Sequence, residues 1–292
     1  MIKVHHLWVV YLFKYGIIFT ISEIEGEYFL SMVEVVSKGR FLTLAEVYFA
    51  ETPDITVKSK CDVVLYHNRK VLKSKSDEHS IGYTLVTDLS ESEETLWSKI
   101  RKNARYDINR SERDGITFEI FDSQDILSES FTTKMDLFEK CHDGMYASKG
   151  MNFKFNRGEI IKFAEQNAAV ITTASCQGEP IVWHFYIKDD THVKFTISCS
   201  LFRDSASKEF IDIIGRANKA LHWHDLKCFK SEGIVSYDWG GCDWHLEDIS
   251  GIDNFKLSFG GEKVTYYTEQ VLVSLKAKLY TKVMSLCKKK NT

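Results

Sequence analysis

The chain has 292 residues, of which 44% are hydrophobic and 13% aromatic, and it contains two prolines. This length suits two subdomains or one large α/β domain, and the composition is that of a globular protein without a long disordered tail. A net charge of −3 at pH 7 argues against nucleic acid or an anionic membrane as a general partner. Seven cysteines without paired spacing indicate reduced thiols in a cytoplasmic protein rather than a disulfide framework.

Residues 1–89 are rich in aromatic and β-branched residues and predict a β-rich segment. The apolar run at residues 7–21 is interrupted by Lys14 and Gly16 and is shorter than the roughly 20 residues of a membrane helix. We therefore interpret it as a hairpin and expect neither a signal peptide nor a transmembrane segment. A helix is possible over residues 27–36, and further strands are expected at residues 41–49, 61–66 and 81–86.

One long helix is predicted over residues 88–115. Ser90 and Glu93 have the spacing of a capping box, and Gly115 stands where a helix C-cap belongs. One face is apolar at helical spacing, through Trp97, Ile100, Ala104 and Ile108. The opposite face is basic and includes Arg105. It is either a solvated helix face or a ridge that contacts a phosphate or an RNA backbone.

The pattern after residue 116 predicts a regular succession of elements. Two amphipathic helices enclose a segment, residues 142–154, that is long enough to form a flap. The elements in chain order are helices at 126–141 and 157–167, a meander at 169–176, 181–188 and 192–200, a helix at 208–232, a strand end at 234–239, a strand at 264–273 and a helix at 275–288. This is the order of the Gcn5-related N-acyltransferase (GNAT) fold, an α+β fold with a mixed, largely antiparallel sheet flanked by helices. In that fold two neighbouring strands part to admit the acyl donor.

Residues 237–261 contain two glycine pairs, Gly240–Gly241 and Gly260–Gly261, which enclose an acidic loop and the sequence Phe-Lys-x-x-Phe. Glycine is used where φ must be positive or where a backbone must approach closely. Loops of this kind on a rigid frame commonly carry function.

Three segments of the chain resemble the Fem-type transferases, which include peptidoglycan-bridge aminoacyltransferases and acyltransferase relatives with two GNAT folds in one protein. They are LWSKIRKNAR at 96–105, GIVSYDWGG at 233–241 and GIDNFKLSFGG at 251–261, the last matching the family pattern G-x-x-x-F-K-x-x-F-G-G. The resemblance implies a reduced GNAT-like half at residues 1–115 that ends in a basic connecting helix. It implies a complete GNAT-like transferase domain at residues 116–292.

The segment expected to bind the donor departs from the usual pattern. Residues 201–207, LFRDSAS, lack the glycines of the coenzyme A loop, so acyl-coenzyme A (acetyl-coenzyme A) and aminoacyl-tRNA both remain open as donors. Arg203, Ser205 and Ser207 are the candidate donor-binding residues, because a helix N-terminus favours an anionic group.

Asp238 and Lys256 are the candidate catalytic residues. Asp238 could take or orient the proton of an attacking amine, although it could equally cap the turn at Gly240. The resemblance implies that Lys256 contacts the acceptor or stabilises developing charge; the alternative is an exposed helix lysine. The candidate substrate-binding residues are Tyr237, Phe255, His184 and Arg105. For Tyr237, as for Trp239, packing on alternate sheet faces is the simpler interpretation, and for His184 a satisfied core histidine.

The leading hypothesis is a transferase that moves an acyl or aminoacyl group onto an amine of a cell-envelope precursor, such as a nucleotide-linked amino sugar or a peptidoglycan peptide. One alternative is a non-catalytic module that binds a glycan or a protein. Another is RNA binding, including tRNA, through the basic helix alone. No metal is expected, because His222 and His224 cannot share one helix face.

Overall fold

The fold is described from a computed structural model of the chain. It describes residues 32–50, 57, 59–72, 78–201, 207–246 and 251–289. The hairpin predicted at residues 7–21 lies outside these ranges. No helix in the described part of the chain has the length and apolar character needed to cross a membrane.

The described residues contain ten strands that form one sheet. The strands are β1 (Val33–Lys38), β2 (Thr43–Tyr48), β3 (Val63–Arg69), β4 (Glu78–Asp88), β5 (Ile116–Phe121), β6 (Ala169–Cys176), β7 (Glu179–Lys188), β8 (His192–Ser200), β9 (Ser236–Gly241) and β10 (Glu262–Leu272). Their order in the sheet is β1-β2-β3-β10-β4-β9-β8-β7-β6-β5. The pairs β2–β3 and β8–β9 are parallel and the other neighbouring pairs are antiparallel. The predicted mixed, largely antiparallel sheet is confirmed.

The helices lie on both faces of this sheet. They are α1 (Glu93–Lys99), α2 (Lys102–Ser111), α3 (Ser123–Leu127), α4 (Thr132–Ser148), α5 (Arg157–Glu165), α6 (Lys208–Ser231), α7 (Gly251–Leu257) and α8 (Leu275–Lys289). Helices α4 and α5 cover one face through a core that includes Phe138, Phe163 and Trp183. Helices α1, α2 and α6 cover the other through a core that includes Phe229 and Trp239. Strand β7 is buried on both sides, as its sequence predicts.

The single helix predicted over residues 88–115 is wrong, because the chain forms α1 and α2 with a break between them. Ile100 is buried and extended at the break, and the Arg101 amide donates to the Ser258 carbonyl instead of to its own helix. The N-cap of α1 is Ser92 rather than Ser90. Ser90 is engaged elsewhere, since its amide and hydroxyl both donate to Asp88.

Two further helix predictions differ from the structure. The helix predicted at 126–141 is divided into α3, a 3-10 turn (Glu129–Phe131) and α4, because Asp122 caps α3 one turn earlier and Ser128 is extended. Helix α4 continues to Ser148, so the loop predicted at 142–154 is shorter than expected. Residues 33–36, predicted as part of a helix, belong to β1, where Val33 and Val35 alternate with less buried neighbours.

The sheet curls so that strands distant in its order come together. Three strands separate β3 from β8, yet Lys194 Nζ on β8 lies 2.8 Å from Asn68 Oδ1 on β3. Phe49, just after β2, stacks on His192 at the start of β8 with ring centroids 5.5 Å apart. We call the concave side of β3, β10, β4, β9 and β8 the trough.

The two predicted halves share this sheet. Strand β10 comes from the C-terminal segment but lies between β3 and β4, which come from the first 115 residues. A domain boundary at residue 115 stays a prediction.

The buried ion pair between β3 and β10 is expected to hold the first three strands to the rest of the sheet. Arg69 Nη1 lies 2.7 Å from Glu269 Oε2, and both side chains are at most 2% exposed. Glu269→Ala should lower the free energy of unfolding by about 3–5 kcal/mol, because it leaves a buried guanidinium without its carboxylate. Urea denaturation would measure the change. The matched control is Glu119→Ala, which breaks an exposed pair with Lys134 and should cost at most about 1 kcal/mol. Equal costs for the two variants would contradict the assignment.

Candidate active site

Strand β9 places alternate side chains on the two faces of the sheet. Tyr237 and Trp239 point to the α6 side, where both are fully buried and their ring centroids are 4.9 Å apart. The expectation that they pack on alternate faces is therefore wrong, since residues two apart in a strand share a face. Asp238 points the other way, into the trough.

Strands β8 and β9 run parallel for three residue pairs, the last being Lys194 with Asp238. The chain then turns at Gly240, whose φ is +69°. A Cβ at this position would lie 2.7 Å from the Phe195 carbonyl oxygen, which is too close for any side chain. Gly240 thus lets β9 pass against β8 at the point where the pairing ends.

The Asp238 carboxylate is fully engaged at this turn. Its Oδ1 accepts from the Gly240 amide at 2.8 Å and from the Thr84 hydroxyl. Its Oδ2 accepts from Asn68 Nδ2 at 2.5 Å. The same hydroxyl lies 2.8 Å from the Gly240 carbonyl oxygen, so its single proton is shared between the two acceptors. The turn-capping contact considered from the sequence is present, and it joins Asp238 to two strands of the first half.

Lys256 on α7 is buried rather than an exposed helix lysine. Its Nζ donates to the Gly241 carbonyl at 2.6 Å and lies 6.0 Å from the centre of the Phe195 ring. Burial lowers the pKa of Lys256, and the nearby Cys242, Asp253 and Asp238 oppose that shift. Asp238 and Lys256 therefore flank the Gly240 turn, with an ammonium in the gap where β8 and β9 separate.

A cavity of about 330 Å³ lies at the end of β8, and neither Asp238 nor Lys256 is among its lining residues. Its walls come from the end of β8, helices α4 and α6, and α7; they include Ser200, Lys149, Asn218 and Phe255. Phe255, the residue before Lys256, therefore lines a space large enough for a small ligand. Lys219 also lines the cavity, and its ammonium is 2.6 Å from Asp107 on α2.

His184 belongs to a buried polar network behind the cavity wall. Its Nδ1 lies 2.9 Å from Asp225 Oδ2 and its Nε2 lies 2.9 Å from Asn218 Oδ1. Tyr186 donates to the same Asp225 oxygen at 2.6 Å, and its oxygen is 3.1 Å from that of Tyr237. His184 and Tyr237 are fully buried, so Asn218 is the member of this network that lines the cavity.

Asp225 carries the charge of this network. Burial raises the pKa of its carboxyl, but hydrogen bonds from His184, His224 and Tyr186 outweigh burial and hold that pKa below its usual value. Sequence reasoning missed this residue. The sequence did contain a signal for it: Asp225 follows Leu221 by four positions, and this spacing places its carboxylate on the apolar face of α6.

His184, His222 and Asp225 also place donor atoms within 4.8 Å of one another, a spacing compatible with a metal ion. Burial holds the pKa of His222 well below its usual value, so it is neutral. Both ring nitrogens of His184 already have hydrogen-bond partners in Asp225 and Asn218. The polar network therefore accounts for the side chains of His184 and Asp225.

The remaining candidates lie away from Asp238 and Lys256. Arg105 is half-buried on α2, which packs against α6 on the opposite face of the sheet from the trough. Ser207 is exposed and directly precedes α6. Arg203 and Ser205 lie outside the described residues.

Three residues of the Asp238 cluster were missed from the sequence: Asn68, Thr84 and Lys194. Asn68 and Thr84 stand 170 and 154 positions before Asp238, in segments with no catalytic signature. Asn68 adopts a φ of +55°, an unusual conformation for a residue other than glycine and one that clusters at functional sites.

No family model matches the chain, and no curated protein sequence matches it. Among solved structures the chain is similar to FemX, with a TM-score of 0.59 and 12% identity over 89% of this chain and 88% of that one. It is also matched, at a TM-score of 0.47 and 14% identity, to L-PGS from Bacillus licheniformis, over 85% of this chain and 84% of that one. A tandem GNAT protein from the clavulanic acid biosynthesis pathway matches at a TM-score of 0.37 and 9% identity, over 72% of this chain and 63% of that one.

The likeness to FemX establishes a shared fold. The α+β, GNAT-like arrangement predicted from the sequence is confirmed, and so is the resemblance to the Fem-type fold. At 12% identity the comparison carries no residue roles or substrates to this chain.

Gly240→Ala should destabilise the protein by about 1–3 kcal/mol, because the residue has a positive φ and its Cβ would meet the Phe195 carbonyl. The control is Gly178→Ala in the β6–β7 turn, where φ is +84° but nothing lies within 4 Å of the added carbon. Thermal unfolding of both variants separates the backbone strain, which they share, from the strand contact. A smaller loss at Gly240 than at Gly178 would contradict the close approach.

Proposed function

We propose that this protein transfers an acyl or aminoacyl group from an activated ester or thioester to an amine. The observation that carries the proposal is the buried Lys256 ammonium, which donates to the Gly241 carbonyl where β8 and β9 separate and lies across the Gly240 turn from Asp238. The preceding residue, Phe255, lines a cavity of about 330 Å³. In this arrangement the cavity would hold part of the donor and the trough would admit the acceptor.

Lys256 is suited to stabilise the transition state. When an amine attacks a carbonyl carbon, negative charge develops on the carbonyl oxygen, and positioned donors in a water-poor site stabilise that oxygen strongly. The Lys256 ammonium has three N–H groups, and the Gly241 carbonyl accepts from one of them. Burial increases the electrostatic effect of the others on a nearby oxyanion.

Asp238 orients this site. Its three hydrogen bonds fix the Gly240 turn, and through that turn they set the position of the Gly241 carbonyl that receives Lys256. In the trough, a carboxylate beside aromatic side chains also favours an approaching amine over an anion.

The donor is acyl-coenzyme A or aminoacyl-tRNA, and its phosphates would lie near the N-terminus of α6, where Ser207 stands. The acceptor would be an amine of a cell-envelope precursor, either a nucleotide-linked amino sugar or a peptidoglycan peptide, and the protein would act in the cytoplasm. These finer assignments rest on the resemblance of residues 233–241 and 251–261 to the Fem-type motifs.

A second candidate is a binding module without turnover. The observation that favours it is the complete engagement of Asp238, since a carboxylate with three donors can be purely structural. Such a protein would bind a glycan or a partner protein in the trough and would have no use for an acyl donor.

Thermal unfolding with added ligands separates these functions. We expect acetyl-coenzyme A, a longer acyl-coenzyme A ester or a charged tRNA to raise the midpoint, because a ligand at about 100 times its dissociation constant stabilises the fold by about 2.7 kcal/mol. Free coenzyme A and uncharged tRNA, which lack the acyl or aminoacyl group, are the matched controls. A shift with an envelope precursor but with no donor would favour the binding module.

Lys256→Ala should lower kcat about 100- to 1,000-fold in the transfer reaction, the usual cost of removing one donor to an oxyanion. KM for the donor should change much less, since the interaction forms in the transition state. Lys263→Ala is the control, because Lys263 lies on β10 against Trp244 rather than in the gap. Unchanged kcat in Lys256→Ala would remove this residue from the mechanism.

A further inference from the structure

Lys194 is the charged group of the trough that the proposed mechanism leaves unexplained. It lies on β8 beside Asp238 on β9 and is partly exposed. Its Nζ donates to Asn68 Oδ1 at 2.8 Å. The ring centres of Tyr48 and Tyr266 are each 5.8 Å from the same atom.

Among the described residues, Lys194 has no carboxylate within ion-pair distance. Asp238 is the nearest charged partner in the sheet, but its two oxygens are occupied by Thr84, Gly240 and Asn68. Partial burial without an ion pair disfavours the charged form of a lysine, whereas the two nearby tyrosine rings favour it. Only one of its donors is satisfied by Asn68, so the nitrogen is free to face a ligand in the trough.

We infer that Lys194 is the proton acceptor for the attacking amine and that Asn68 and Asp238 are its positioning residues. This inference rests on the proposed transfer function. It separates two roles that the sequence assigned together to Asp238. The Asp238 carboxylate positions the surrounding groups, and Lys194 accepts the proton.

Lys194 would carry one proton from the attacking amine to the leaving group. A neutral acceptor amine attacks the carbonyl carbon of the ester or thioester, and a nitrogen–carbon bond forms. The nitrogen gives one proton to the neutral Lys194 amine. The tetrahedral intermediate then breaks its carbon–oxygen or carbon–sulfur bond, and the leaving hydroxyl or thiol takes its proton from the Lys194 ammonium. Lys194 is thereby returned to its neutral form.

The surroundings of Lys194 support this assignment. Burial lowers the pKa of Lys194, and the Asp238 carboxylate opposes that shift. The other groups that face it are the phenols of Tyr48 and Tyr266, whose pKa values are raised by burial, and Lys256 across the Gly240 turn. Both phenols are therefore neutral at physiological pH, and a positive charge on Lys194 lowers the pKa of Lys256.

The first test measures the proton directly. The protein is labelled with ¹³C at lysine Cε, and the resonance that disappears in Lys194→Arg is followed against pH by NMR. We expect this resonance to titrate below the ordinary lysine value of about 10.4, because burial lowers the pKa of Lys194. Titration at or above that value would overturn the inference, because Lys194 would then hold its proton throughout the working range.

The second test separates a base from a fixed positive charge. Arginine keeps the charge but is not deprotonated in proteins. Lys194→Arg and Lys194→Gln should therefore both lower kcat by about 100- to 10,000-fold. KM for the acceptor should stay within about threefold, and the acidic limb of the pH–rate profile should be lost. Lys188→Arg, on the same meander but paired with Glu232, is the control and should keep full activity.

The possible results test the role of Lys194 as base and the proposed transfer function separately. Full activity in Lys194→Arg with a raised KM in Lys194→Gln would show that Lys194 binds an anionic part of the acceptor, and it would overturn the role as base. Absence of transfer by the wild-type protein with every donor would overturn the proposed function and this inference with it. Transfer by the wild-type protein together with an ordinary Lys194 titration would overturn this inference alone.

Discussion

The Asp238 carboxylate is the interaction on which the candidate site depends. Its three donors come from the turn after its own strand and from two strands of the first half of the chain. Because a partly buried carboxylate is stabilised by hydrogen bonds, the bond from Asn68 favours the curl that brings β3 close to β9. The curl creates the trough and brings Lys194 against the same amide.

The Gly240 turn links Asp238 to Lys256. A backbone with positive φ passes the Phe195 carbonyl too closely for any side chain, and the next carbonyl, that of Gly241, receives Lys256. The Lys256 ammonium therefore occupies the space where β8 and β9 separate. Charge placed there in advance needs no reorganisation when an oxyanion forms, which is the physical basis of the proposal that transfer takes place at this gap.

Periodic elements could be predicted, whereas breaks set by distant contacts could not. The meander and α6 follow from local alternation and helical spacing, and both were found close to the predicted bounds. The helix across Ile100 was wrong because the Arg101 amide bonds to Ser258, more than 150 positions away. In the site, Asp238 and Lys256 were identified through glycine pairs that mark a special backbone. Asn68 and Thr84, which bind Asp238, lie in segments without any such pattern.

The sequence by itself determined the meander, α6, the glycine turn and the choice of Asp238 and Lys256 as candidates, because helical and strand periodicity and positive φ are local properties. The tertiary structure alone decided that Asp238 is saturated with donors, that Lys256 is buried, and that His184 lies behind Asn218. It also decided that Lys194 meets Asn68, a contact between residues 126 positions apart. Burial and hydrogen bonding between such distant residues arise only when the sheet closes, and they set the charge states on which the chemistry depends.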